Sequence, residues 1–245
     1  MTDGLLLLHA FPMDASMWSP QVSALDEVVP IVAPNAPGFG GSTLSNQVTT
    51  MEEIADRAAE DLTAAGIDGA VVVGLSMGGY AAFSFWRRHR DRVVGMVLAN
   101  TRSGSDDEAG RERRRALAAR LKAEGNGFMV QTPPPLLSAN APHELWDRVR
   151  DAIRAQPAEA IAAASLGMAQ REDSTSDLAG IDVPTLVITA TADTLIPPEA
   201  TTPMAGQIQG AVLEIIEGAG HLSNLEAPQE FNRLLREHLE RGGIG

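Results

Sequence analysis

Cysteine is absent from this chain of 245 residues. The absence excludes disulfide bonds, a metal site built from thiolates and a cysteine nucleophile. The five histidines are scattered along the chain and are not paired at the spacing of metal ligands, so we expect no catalytic metal. These absences predict chemistry that uses no metal and no other cofactor.

Long hydrophobic runs are also absent, and no apolar stretch approaches the length of a membrane span. The N-terminus lacks a basic region followed by an apolar stretch and a small-residue cleavage site. We therefore expect a cytoplasmic protein that does not associate with a membrane.

Basic residues are outnumbered, because 19 lysines and arginines face 32 aspartates and glutamates. The net charge is -13 and the pI is near 4.7. Such a chain repels nucleic acid and anionic membranes, so neither is expected as a partner. The expected partner is a small-molecule substrate.

Apolar runs alternate with helical patterns over most of the chain and predict one α/β domain. The predicted strands include residues 5–9, 28–33, 70–73 and 93–99, and predicted helices include residues 16–25 and 50–65. Thr50 and Glu53 have the spacing of a capping box at the start of the second helix. The alternation breaks at about residue 101 and resumes at Val183.

The segment 101–182 is helical in pattern and poor in strands. Its arginine run, residues 111–115, is interpreted as the solvated face of a helix. An insertion of this kind between core strands predicts a helical cap over the site. The expected division is a core of residues 1–100 and 183–245 with a cap of residues 101–182.

The most informative motif is Gly-Leu-Ser-Met-Gly at residues 74–78, directly after the apolar run 70–73. A serine between two glycines, where a buried strand turns sharply into a helix, is typical of an activated nucleophile. The glycines are needed because the strained turn leaves little room for neighbouring side chains. Ser76 is therefore the predicted nucleophile.

A base for Ser76 must come from one of the five histidines. His221 alone follows a predicted strand, residues 212–216, and a glycine-rich turn that could hold an imidazole over a site. His9 ends a buried strand and is interpreted as an organiser of the following loop. The other three histidines lie in segments of a different kind. His89 lies at a charged helix end, His143 in a proline-rich linker and His238 in a charged terminal helix.

An acid to orient the imidazole of His221 is found after the apolar run 184–190. Asp193 lies in the loop that follows this strand, between the serine and the histidine in sequence. Its carboxylate would hold one imidazole nitrogen and stabilise the protonated ring.

Taken together, residues 9–12, 33–42, 74–79 and 220–228 resemble the α/β-hydrolase superfamily, and within it small bacterial esterases and 3-oxoadipate enol-lactonase-like hydrolases. The resemblance covers nearly the whole chain. It implies a mostly parallel sheet of about six strands flanked by helices, with a helical cap inserted, and the chain order Ser76, Asp193, His221 for a catalytic triad. The function implied is cleavage of a carboxylic ester or lactone through an acyl-enzyme.

The same resemblance implies an oxyanion hole made by the backbone amides of Phe11 and Met77. Pro12 has no amide hydrogen and cannot donate. Some relatives place the acid at the end of the preceding strand, but here that residue is Asn100, which carries no charge. The family also begins with an antiparallel hairpin, for which Leu5 comes too early.

Without that hairpin, the strand at residues 28–33 becomes the edge of the sheet. Pro30 supports this position, because proline cannot donate a ladder hydrogen bond and is tolerated at an edge.

Related chemistries are partly excluded by what is missing from the motifs. Epoxide and halide chemistry would need an aspartate in place of Ser76, and a hydroxynitrile lyase would need a lysine where Leu222 stands. Carbon–carbon bond hydrolases, cofactor-free perhydrolases and ligand-sensing receptors of this fold keep the same triad and stay open as alternatives. Arg102, at the root of the cap, is either an exposed arginine or a partner for a substrate carboxylate.

Overall fold

The computed structural model describes residues 2–243. Its strands form a single sheet: Asp3–Leu8 (β1), Ile31–Val32 (β2), Gly69–Leu75 (β3), Val93–Ala99 (β4), Thr185–Ala190 (β5) and Val212–Ile216 (β6). The spatial order is β2-β1-β3-β4-β5-β6, and every neighbouring pair is parallel. The predicted parallel sheet of six strands is confirmed.

The centre of the sheet is buried on both faces, which explains why its strands are continuous apolar runs. All seven residues of β3 are buried, and Leu5, Leu6 and Leu7 of β1 are fully buried. Because all strands are parallel, their carboxyl ends lie along one edge of the sheet. Side chains that follow β3, β4 and β5 can therefore meet there.

The edge position of β2 agrees with the sequence-based expectation, but the strand is shorter than the predicted 28–33. Only Ile31 and Val32 pair with β1, and Pro30 lies just outside the strand. The carbonyl of Pro30 still accepts a hydrogen bond from the Leu5 amide at 2.8 Å. Proline at this point has no amide hydrogen for the ladder, so regular pairing begins only after it.

Helices flank the sheet. The α-helices are Ser19–Leu25 (α1), Met51–Ala64 (α2), Met77–Arg88 (α3), Glu108–Glu124 (α4), Gly127–Gln131 (α5), His143–Ala155 (α6), Ala158–Gln170 (α7), Pro198–Thr201 (α8), Ser223–Glu226 (α9) and Pro228–Gly242 (α10). Of these, α3 packs against β1, β3 and β4, and α10 packs against β6. Short 3₁₀ turns cover Ala15–Trp18, Arg90–Arg92, Thr175–Gly180 and Thr202–Met204. The Thr50 hydroxyl accepts from the Glu53 amide at 3.1 Å, as its spacing predicted.

Four of these helices, α4 to α7, lie between β4 and β5, and α4 packs extensively against α7. They occupy the segment in which the sequence predicted a helical insertion. Within residues 2–243, no helix has both the length and the apolar character that a membrane span requires.

Candidate active site

Ser76 occupies the sharp turn between β3 and α3, with φ 58° and ψ -114°. A side chain on Gly74 would lie 2.3 Å from the Gly78 carbonyl oxygen, and one on Gly78 would lie 2.0 Å from the Leu8 carbonyl oxygen. Both contacts are too close for any Cβ. Glycine is thus required on either side of Ser76 for the steric reason inferred from the motif.

The neighbouring strand fixes the backbone of this turn. The Ser76 amide donates to the Ala99 carbonyl at 3.0 Å, and the Thr101 hydroxyl donates to the Ser76 carbonyl at 2.9 Å. The Ser76 side chain does not cap α3. Its hydroxyl is therefore not engaged in a capping hydrogen bond to α3, and Ser76 lines a cavity.

Asp193 and His221 form a buried pair at the carboxyl edge of the sheet. The two atoms His221 Nδ1 and Asp193 Oδ2 are 2.8 Å apart, and each residue is 2% exposed. Asp193 follows β5, and His221 follows β6, so the loops after two adjacent strands bring them together. His221 lines the same cavity as Ser76.

The Asp193 carboxylate accepts hydrogen bonds on both oxygens. Oδ1 receives the amides of Leu195 at 2.9 Å and Ile196 at 3.0 Å, and Oδ2 receives the Asn100 side-chain amide at 3.0 Å. Burial alone would raise the pKa of this carboxyl. The hydrogen bond and charge of His221, together with the amides, outweigh burial and hold the pKa below its usual range.

An ionised carboxylate only accepts hydrogen bonds, so the proton between the two side chains belongs to Nδ1 of His221. The other ring nitrogen, Nε2, then carries a lone pair. The structure contains no hydrogen bond between Ser76 and His221, although both face one cavity. Such contacts are often longer in a free enzyme than in its complex with substrate.

Phe11 and Met77 are the residues whose backbone amides were expected to form the oxyanion hole. Phe11 lines the cavity, whereas the Met77 side chain is buried and its backbone amide begins α3. Neither amide donates a hydrogen bond to any other residue among those described. Both backbone amides are thus unpaired among residues 2–243, and the Met77 amide directly follows Ser76 in the chain.

His9 has the structural role that its position predicted. Its Nε2 accepts from the Ala36 amide at 2.9 Å, and its Nδ1 donates to the Ala10 carbonyl at 3.0 Å. Burial lowers the pKa of His9, so the ring stays neutral. It joins the loop after β1 to the loop after β2.

The cavity above Ser76 has a volume of about 360 Å³. One wall comes from α4, through Gly110, Arg113, Arg114 and Leu117. The interpretation of residues 111–115 as a solvated face was therefore incomplete, because the run divides between two faces of the helix. Arg111 and Arg115 do lie outside the cavity, near Glu108.

Arg102 also lines this cavity and is more than an exposed arginine. Its Nη2 donates to the Asp106 carboxylate at 2.5 Å. Asp106 is bound by Arg114 and Arg171 as well, and Asp106 was not predicted as a site residue. No spacing signal marked it, since the pairing depends on how α4 and α7 pack.

Within residues 2–243, no group of three or more His, Cys, Asp and Glu side chains is arranged to hold a metal ion.

Comparison with known proteins agrees with this architecture. The model of the alpha/beta hydrolase family matches residues 5–234. The chain is 29% identical over 231 residues to 3-oxoadipate enol-lactonase 1 of Acinetobacter baylyi, covering 93% of this chain and 85% of that protein.

Two solved structures are similar throughout. A thermophilic esterase from Thermogutta terrifontis, with malate bound, is 37% identical with a TM-score of 0.94, over 99% of this chain and 90% of that one. The enol-lactonase from Burkholderia xenovorans LB400 is 26% identical with a TM-score of 0.88, over 98% of this chain and 92% of that one. This chain belongs to the alpha/beta hydrolase family.

Proposed function

We propose that the chain is a serine hydrolase that cleaves a carboxylic ester or a lactone through an acyl-enzyme intermediate. The observation that carries the proposal is the buried Asp193–His221 pair, which opens onto the same cavity as Ser76. Ser76 is held at positive φ at the start of a helix, where its hydroxyl has no structural hydrogen bond to break. Family membership supports a hydrolase.

In the proposed mechanism, Nε2 of His221 takes the proton of the Ser76 hydroxyl as its oxygen attacks the carbonyl carbon. The free amides of Phe11 and Met77 receive the negative oxygen that forms, aided by the N-terminal end of α3. His221 then gives the proton to the leaving oxygen. Water repeats the sequence on the acyl-enzyme and releases the acid.

The helices within residues 101–182 act as the cap in this proposal. The whole segment supplies most of the residues that line the cavity, including Leu117 and Met168 from its helices and Pro134 from the loop between α5 and α6. A cap of this kind excludes bulk water, which strengthens the electrostatic interactions around the reacting carbonyl.

Ester and lactone are preferred as substrates because the relatives with these activities align over nearly the whole chain. The malate in the related esterase is a small dicarboxylate. Short acids and their esters therefore belong in the first substrate screen.

The test is hydrolysis of short p-nitrophenyl esters and of lactones by the wild-type chain and by Ser76→Ala. We expect the alanine variant to lose at least about 10³-fold in kcat, on the scale of other triad knockouts, with an unchanged melting temperature. A fluorophosphonate probe should label the wild type and not the variant. Turnover by Ser76→Ala at the wild-type rate would refute the mechanism, and labelling without turnover would favour a receptor.

A further inference from the structure

The cavity above Ser76 has one strongly cationic wall. Helix α4 contributes residues 110, 113, 114 and 117, which follow the i, i+3, i+4, i+7 pattern of a single helix face. Two of these four residues are arginines. A third arginine, Arg102, reaches the same cavity from the segment after β4.

The negative charge in this wall comes from one side chain. Asp106 is 6% exposed and binds Arg102, Arg114 and Arg171, with Arg171 Nη1 at 2.9 Å from Oδ2. Burial would raise the pKa of Asp106, but the hydrogen bonds and charges of Arg171 and Arg114 outweigh it and keep the pKa well below its usual range. The group is thus one carboxylate surrounded by three guanidinium groups.

The donors of this cluster are not all used. The Nε atom of Arg102 is buried and has no hydrogen-bond partner among residues 2–243. A buried donor without a partner costs free energy, so Asp106 does not satisfy all the donors of the arginines around it.

Arg113 is the arginine of the wall that Asp106 does not bind. Among the described residues it makes no ion pair and no side-chain hydrogen bond, and its side chain is exposed to solvent. Its neighbours Arg111 and Arg115 contrast with it, since both pair with Glu108 on the other face of the helix. Arg113 therefore offers a complete guanidinium to the contents of the cavity.

The net charge of the residues that line this cavity is positive, whereas the net charge of the whole chain is negative. The charged residues that line the cavity are Arg102, Arg113, Arg114 and Asp106. Its other ionisable lining residues are Tyr80 and His221. The whole chain has a net charge of -13. An excess of positive charge inside an acidic protein is not a consequence of composition, and it favours an anion in the cavity.

We propose that the natural substrate carries a carboxylate in addition to its scissile ester or lactone, and that Arg113 binds this carboxylate with help from Arg102. This inference rests on the proposed hydrolase function and specifies its substrate class as half-esters or lactones of dicarboxylic acids. A guanidinium pairs with a carboxylate in a planar, bidentate geometry, so the wall selects both charge and orientation. The carbonyl to be cleaved then lies at Ser76.

The test compares matched methyl esters that differ only in the end of the acyl chain. Monomethyl succinate, glutarate and adipate are assayed against methyl butanoate, pentanoate and hexanoate, by proton release. At one chain length or more, we expect kcat/KM for the charged ester to exceed that of its neutral partner by about tenfold, with the difference decreasing at high salt.

Two variants of the same helix separate the role of Arg113 from a general effect of charge. Arg113→Gln should lower kcat/KM for the charged ester by about tenfold, mainly through KM, and leave the neutral ester within about twofold. Arg115→Gln removes the same charge two residues away, on the face outside the cavity, and should change neither. Binding of glutarate to Ser76→Ala, measured by calorimetry, should weaken with the added Arg113→Gln change.

Two results would overturn the inference alone. The first is Ser76-dependent hydrolysis with no preference for the charged ester at any chain length. The second is an equal loss of kcat/KM for the charged and the neutral ester in Arg113→Gln. Failure of the hydrolase proposal looks different, because no ester of either kind would be cleaved and the fluorophosphonate probe would not label Ser76.

Discussion

Asn100 donates its side-chain amide to the same Asp193 oxygen that accepts the Nδ1 proton of His221, at a distance of 3.0 Å. Asn100 follows β4, at the strand end where some relatives of this fold place the acid. It is fully buried, has φ 45°, and accepts a hydrogen bond from Ser223 at 2.6 Å. The ends of β4 and β5 therefore meet at one carboxylate, which Asn100 holds with a neutral amide while His221 binds the same oxygen.

The first prediction separates these two positions. Asp193→Asn should lower kcat by about 10³- to 10⁴-fold, because an amide cannot stabilise the imidazolium or fix its tautomer. Asn100→Ala should cost much less, about tenfold, because it removes one of the hydrogen bonds that orient Asp193 and leaves its charge in place. Ester hydrolysis and melting temperature measure the two effects.

The double variant Asp193→Asn with Asn100→Asp moves the carboxylate from one strand end to the other and keeps the residue composition unchanged. We expect partial recovery over Asp193→Asn alone. Wild-type activity in Asp193→Asn would mean that another residue is the acid.

A second prediction concerns the dependence of the rate on pH. The pKa of Asp193 is held below its usual range, so this group stays a carboxylate at mildly acidic pH. Protonation of an imidazole base then removes activity by itself, so kcat/KM should fall along a limb set by one ionisation, somewhere between about pH 7.5 and 5.5. A chelator should leave the profile unchanged. A rate that is flat over this range, or one abolished by the chelator, would contradict the assignment of His221.

A third prediction concerns stability and arises from His238, which the sequence placed in a charged helix but which is buried on α10. Burial, with a smaller contribution from the charge of Arg241, lowers the pKa of His238 to about 4. Between that value and the ordinary imidazole pKa, the unfolded chain binds a proton that the folded chain does not. The contribution of His238 to the free energy of unfolding is therefore fully present near neutral pH and is lost as the pH falls.

From pH 7 to pH 5 this group should cost about 2 kcal/mol of unfolding free energy. His238→Gln should reduce the loss by that amount in urea melts at the two pH values, even if the variant is less stable at both. His143→Gln changes an exposed histidine and serves as the control. An unchanged pH slope in His238→Gln would refute the assignment.

Local sequence was enough to predict some features of the site and not others. The turn at Ser76 was predictable because its causes are local: a buried strand, two crowded glycines and a helix. The proximity of Asp193 and His221 was expected from loops that follow strands, and the structure brings them within hydrogen-bond distance.

Features that depend on packing could not be read from the sequence. The link from Asn100 to Asp193 requires that β4 and β5 be neighbours. Which arginines of residues 111–115 face the cavity depends on the rotation of α4 about its axis, since residues 113 and 115 differ by about 200° around a helix. The burial of His238 likewise depends on how α10 packs against the sheet.

The last prediction concerns Glu226, at the end of α9. Its Oε2 accepts the Gly220 amide at 2.8 Å and the Ser138 amide at 2.9 Å, and its Oε1 accepts the Ser138 hydroxyl at 2.5 Å. One carboxylate thus joins the turn that carries His221 to the loop between α5 and α6. An adjacent hydrogen bond, from the Leu222 amide to the Leu136 carbonyl at 2.8 Å, strengthens the same junction.

Glu226→Gln replaces one acceptor oxygen by an NH₂ group that opposes these donors, so the His221 turn should lose its fixed position. We expect kcat, and the rate of fluorophosphonate labelling at Ser76, to fall about tenfold, with a loss of about 1–3 kcal/mol in stability from the unpaired groups. Ser138→Ala removes only the hydroxyl and should have a smaller effect on both rates. Glu237→Gln, a half-exposed glutamate paired with Arg233, is the matched control and should change neither rate. If Glu226→Gln lowered the melting temperature and left the labelling rate unchanged, Glu226 would support the fold without positioning the histidine.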